Sequence, residues 1–119
     1  MHPEAYEMKA RRIRARRTTS DRLQEALLIL AEAQGQMLSH SEKPWASITF
    51  SGSRHELMFD FAGPEAVAAG ERFIAALPDH EFAIPGQLVA EATVSEVDHV
   101  MHPAPRMIVT VTLLLLEDA

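Results

Sequence analysis

The residues best suited to chemistry are histidines and carboxylates in the second half of the chain. Asp98, His99 and His102 cluster, and His80 directly follows Asp79. Imidazole and carboxylate are good transition-metal ligands. Their spacing matches no zinc signature, and the chain has no cysteine to supply a thiolate ligand, a disulfide or a cysteine nucleophile. They read as polar loop residues, and neither metal nor cofactor is expected. None of the serines, at 20, 39, 41, 47, 51, 53 and 95, sits in a G-x-S-x-G turn. There is no Walker motif and no G-x-G-x-x-G.

Glu71 stands between Gly70 and Arg72 in a helical stretch. A buried carboxylate with a raised pKa can act as general base. The plainer reading is an exposed glutamate paired with a nearby arginine.

Charge is distributed unevenly. Lys9, Arg11, Arg12, Arg14, Arg16 and Arg17 hold six of the eleven basic residues. Residues 1–20 carry six bases against two acids, a net +4, while residues 21–119 carry five against fifteen, a net −10. A basic arm on an acidic body suits nucleic acid, an acidic protein or its own body. The arm has no interleaved aromatics and no base-reading module, so any nucleic-acid contact would be to phosphates.

The elements that must position these groups follow from periodicity. Residues 1–17 read as a basic helical arm with few apolar anchors, Tyr6, Met8 and Ile13. Thr18 to Asp21 supplies four consecutive cap residues, and Asp21 with Gln24 resembles a capping pair. A helix is expected from Asp21 to Leu38, its stripe formed by Leu23, Ala26, Leu27, Leu30, Ala33 and Met37. A hairpin follows, with strands at Trp45–Phe50 and Leu57–Phe61 and a turn over Ser51–Arg54. Pro64 opens a second helix that Pro78 ends, with Val67, Phe73, Ile74 and Leu77 facing the core. Gly70, unfavourable in a helix, implies close packing there. A short strand is expected at Glu81–Ile84. A long hairpin, Gln87–Val97 with Met107–Leu116, closes the chain around a Pro-containing loop from His99 to Pro105.

The last strand is apolar on both faces. Met107, Val109, Val111, Leu113 and Leu115 alternate with Ile108, Leu114 and Leu116. Such a strand is central or covered twice.

The expectation is an α+β fold of order helix-β-β-helix-β-β. Residues 18–119 form one domain, a four-stranded antiparallel sheet with helices on one face. Its open face leaves Ile108, Leu114 and Leu116 to a partner, so a homo-oligomer, first of all a dimer, or another protein partner is expected. Between Pro64 and Leu116 the element order resembles the hotdog architecture of thioesterases and dehydratases, which would make Glu71 the base. The whole order is similar to that of small phage tail-end and connector proteins, a likeness of topology with no motif behind it. The leading functional reading is a non-enzymatic interaction or assembly protein. A nucleic-acid-associated protein using the arm, or one whose acidic body competes with nucleic acid, is the alternative. No secretory leader is read at the N-terminus, and the longest apolar run, Met107–Leu116, is too short for a membrane helix. A cytoplasmic, non-membrane protein is therefore expected.

Overall fold

The computed structural model describes residues 17–118. Lys9, Arg11, Arg12, Arg14 and Arg16 of the basic arm lie outside the described residues. Helix α1 (Thr19–Leu30) leads into strands β1 (Gln36–Ala46) and β2 (Ser51–Ala62). Helix α2 (Pro64–Ala76) runs into a 3-10 turn, Leu77–Asp79, and strands β3 (Gln87–Val100) and β4 (Arg106–Glu117) follow. The four strands form one antiparallel sheet in the order β1-β2-β4-β3. The expected α+β class and element order are therefore observed, and the doubly apolar strand is central.

Each boundary has a local cause. α1 starts at a capping box built on Thr18, three residues before the expected pair. The Thr18 hydroxyl accepts from the Asp21 N–H at 3.0 Å, and the Asp21 carboxylate accepts from the Thr18 N–H at 3.2 Å. The helix stops at Leu30, well short of Leu38, because Glu32 and Ala33 turn left-handed at φ 59 and 57. The Ala33 N–H then closes back on the Leu28 carbonyl at 2.9 Å. Arg72 holds Glu32 there with two hydrogen bonds, of 2.7 and 2.9 Å. α2 begins at Pro64 after Gly63, whose φ of 94 suits glycine.

The first hairpin differs most from the expected one. β1 covers Gln36–Ala46, and the turn falls on Ser47–Phe50, where the Ser47 N–H donates to the Phe50 carbonyl at 2.7 Å. The residues expected to turn, Ser51–Arg54, belong to β2. β1 is exposed along most of its length, so it carries no apolar alternation for periodicity to detect. Glu81–Ile84 is not strand, and β3 extends through His99 and Val100.

The core lies between the helices and one sheet face. Leu57, Phe59 and Phe61 of β2 and the odd-numbered residues Met107 to Leu115 of β4 meet Leu23, Leu27, Val67, Phe73 and Leu77. Phe73 sets its ring against Phe59 and Phe61, with centroids 5.7 and 5.9 Å apart. Burying each such side chain contributes about 1.5–3 kcal/mol. Gly70 packs as expected: a Cβ there would lie 2.9 Å from Phe61 Cγ.

Candidate functional site

Two features could act. One is a polar chain on the helix-covered face; the other is the open face.

The polar chain joins three elements. β2 alternates so that His55 falls in phase with Leu57, Phe59 and Phe61 and is fully buried. Across the hairpin, His40 of β1 pairs with Leu57 and turns to the same side. Gln24 Nε2 is 2.8 Å from His40 Nδ1, His40 Nε2 is 2.8 Å from His55 Nδ1, and His55 Nε2 is 2.7 Å from Ser53 Oγ. One proton arrangement satisfies all three contacts with both rings neutral. The Gln24 amide donates to His40, His40 Nε2–H to His55, and His55 Nε2–H to the Ser53 hydroxyl. Burial lowers the pKa of both histidines; Glu42 pulls both up, by less, and His40 lowers that of His55 further.

Ser53, His55 and His40 thus have the order of nucleophile, base and orienting group. The surroundings oppose acyl transfer. Ser53 lines a hollow of about 280 Å³ together with Glu42 and Glu117. Ser20 donates to Glu42 at 2.9 Å and Ser51 to Glu117 at 2.8 Å. Two carboxylates beside the hydroxyl disfavour the oxyanion that such chemistry must stabilise. The arrangement holds protons and ties α1 to the first hairpin.

The open face is read from strand register. One row crosses the sheet as Trp45–Gly52–Leu116–Leu88, and the next as Lys43–Arg54–Leu114–Glu91. Further along come Glu56–Thr112–Thr93 and then Asp60–Ile108–Asp98. Arg106 grips Asp60 with two hydrogen bonds, of 3.0 and 2.8 Å. The face is therefore apolar at one end and charged at the other. Leu114 and Leu116 are each 8% exposed, Leu114 between Arg54 and Glu91 and Leu116 between Gly52 and Leu88. Ile108 is half-buried. The exposed apolar surface lies around them: Phe50 at 52%, Leu88 at 57% and Ile48, fully exposed on the hairpin turn. Gly52 sits so close to β4 that a Cβ there would collide with the Leu115 carbonyl.

The two edges of the sheet are blunted. β1 carries Lys43, Pro44 and an irregularity between Met37 and Ser39. β3 breaks register between Val89 and Glu91 and again between Val94 and Glu96. Proline, lysine and bulges discourage edge-to-edge pairing.

Of the other residues singled out by sequence, Arg17 pairs with Glu25 on α1. Glu71 is exposed on α2, so the closed pocket that a hotdog-type base needs is not built around it. Its neighbour Arg72 pairs with Glu32 instead. His99 is the next-to-last residue of β3, opposite Met107, and His102 lies in the loop that follows. His80 rests edge-on against Phe82, with centroids 4.5 Å apart. Among the described residues no group of three or more histidines and carboxylates is placed to hold a metal ion, and no helix is long and apolar enough to cross a membrane. The His40–His55 pair was the residue set that sequence reasoning missed. Its signal was the phase of His55 with the apolar alternation of β2.

No protein-family model matches the chain, and no curated protein matches it. One solved structure does: a chain from the virion of native gene transfer agent (GTA) particle. It aligns with TM-score 0.55 and 14% identity, over 84% of this chain and 92% of that one. At that identity the likeness is one of fold.

Proposed function

We propose that this chain is a non-enzymatic assembly protein, a subunit that joins copies of itself or other proteins in a particle such as a virion. The observation that carries this reading is the apolar end of the open sheet face. Leu88 and Phe50 are more than half exposed beside Leu116, with Trp45 in the same row. Scattered exposed apolar residues are ordinary; several gathered on one face mark an interaction surface. Blunted edges direct association to that face rather than to strand addition. In this reading Leu114 and Leu116 form the floor of the contact, Ile108 lies farther along the same face, and a homodimer is the simplest state. The fold it shares with a virion component supports an assembly role, and in this reading the subunit acts in the cytoplasm.

The test is mass in solution by light scattering at low and high salt. An oligomer at both salts, dissociated by Leu88→Glu, is the expected result. A monomer at both salts, at tens of micromolar, would overturn the reading.

A second reading rests on the six bases between Lys9 and Arg17. As phosphate contacts they would give nucleic-acid binding that weakens steeply with salt and disappears when residues 1–17 are deleted. Binding that survives the deletion would exclude the arm as the site.

A further inference from the structure

The charges of the open sheet face are sorted by strand. On one side, β1 contributes Lys43, and β2 contributes Arg54, Glu56 and Asp60. On the other, β4 adds Arg106, and β3 adds only carboxylates, Glu91, Glu96 and Asp98. Among the described residues, Arg106 and Asp60 form the one ion pair on this face. Lys43 and Glu91 stand at opposite ends of one row, both exposed, with Arg54 and Leu114 between them.

This arrangement is complementary to itself. Two sheets pack face to face about 10 Å apart, with strands within about 30° of each other. A two-fold axis along the strands lays the order β1-β2-β4-β3 on its own reverse, row upon row. β1 of one copy then covers β3 of the other, and β2 covers β4. Each carboxylate of β3 meets a hydrogen-bond donor of β1: Lys43 faces Glu91, Ser39 faces Glu96 and Gln36 faces Asp98. In the apolar row Trp45 faces Leu88. Beside the axis, Arg54 of each copy stands one row from Glu56 of the other, and Arg106 one row from the other's Asp60. An axis across the strands instead sets Glu91 against Asp98 and Leu116 against Arg106. Like charges set against each other select against that register.

We infer that the open face pairs with the same face of a second copy about a two-fold axis parallel to the strands, with Lys43 of each copy against Glu91 of the other. The inference rests on the assembly reading and specifies its partner and register. The contact is isologous, so each pairing occurs twice and the assembly closes at two copies through this face.

Charge reversal tests it, read by sedimentation equilibrium of the full chain at about 50 mM salt, where screening is weak. Lys43→Glu alone and Glu91→Lys alone each put two like-charge contacts into a homodimer. Each should weaken association at least about tenfold. Mixed in equal amounts, the two variants regain two opposite-charge contacts and should associate at least about tenfold more tightly than either alone. A mixture no tighter than its components, while the native chain associates, would overturn this register and leave the assembly reading in place. Single variants that associate as tightly as the native chain would do the same. A native chain that stays monomeric would overturn both. Both positions are exposed on edge strands, so urea midpoints should stay native. A variant whose midpoint falls is exchanged for a second pair, Gln36→Asp with Asp98→Lys, whose mixture must also associate more tightly than either component.

Discussion

His40 Nε2 lies 2.8 Å from His55 Nδ1, with the two rings tilted by 45° and their centroids 5.1 Å apart. This contact is the middle link between Gln24 on α1 and Ser53 on β2. It works only with a hydrogen on one of the two facing nitrogens. With both rings doubly protonated, two N–H groups would point at each other. Glu42 is the charged group that pulls both pKa values up, and burial outweighs it.

The pair should make the fold sensitive to mild acid. Both folded-state pKa values are lowered, while the unfolded chain takes up protons near pH 6.5. The unfolded state therefore binds more protons below that pH, and stability falls as pH drops through it. Urea midpoints measured from pH 8 to pH 5 should decline in the native sequence. They should decline less in His40→Leu/His55→Leu. Parallel declines would mean that the histidines are not the groups responsible.

Removing one ring should cost more than its size suggests. His40→Leu leaves the Gln24 amide and His55 Nδ1 without partners, a loss of about 1–3 kcal/mol. Adding His55→Leu should cost less than His55→Leu does alone, since the group it removes is already unpaired. The coupling in a double-mutant cycle should be about 0.5–3 kcal/mol. Simple additivity would show that the chain of contacts carries no shared energy.

Ala33→Gly should stabilise the protein. Ala33 is left-handed at φ 57, a conformation that costs a residue with a Cβ about 1–2 kcal/mol. Glycine's greater freedom in the unfolded chain takes back part of this. The net gain should be about 0.5–1 kcal/mol, read as a higher denaturation midpoint. An unchanged or lower midpoint would mean that the Ala33 methyl contributes packing of similar size.

Leu88→Glu and Leu116→Glu should separate association from folding. Leu88 is 57% exposed, so a charge there should dissociate an oligomer and leave the monomer's stability within about 0.5 kcal/mol. Leu116 is 8% exposed, and the same change there should lower stability by at least about 2 kcal/mol as well. Light scattering and urea titration on the same samples read the two effects. Equal loss of stability in both would place Leu88 in the fold rather than in a contact.

Gly52→Ala should destabilise by about 2 kcal/mol or more, because the added methyl meets the Leu115 carbonyl, a backbone atom that cannot swing aside. A native-like midpoint would show that β2 and β4 can separate there without loss.

The chain's own pattern determined the class and the order of elements. Pro64, the alternation through Leu57–Phe61 and the two apolar faces of Met107–Leu116 are local signals that hold wherever the strands pair. They also predicted that β4 is either central or covered twice, and it lies between β2 and β3. The end of α1 was not legible, because Ala33 and Met37 continue the helical spacing beyond Leu30. The chain turns left-handed at Glu32, which pairs with Arg72, forty residues away. β1 was invisible for a related reason: an edge strand with little buried surface has no alternation to read. The His40–His55 chain needed tertiary structure in full. His40 and His55 are fifteen residues apart, and their meeting depends on the hairpin register, which was fixed by the turn at Ser47–Phe50 and by α1 closing over that face. Only the fold brought a glutamine and two histidines of unremarkable local context within hydrogen-bond reach, because burial leaves polar groups no partner except one another.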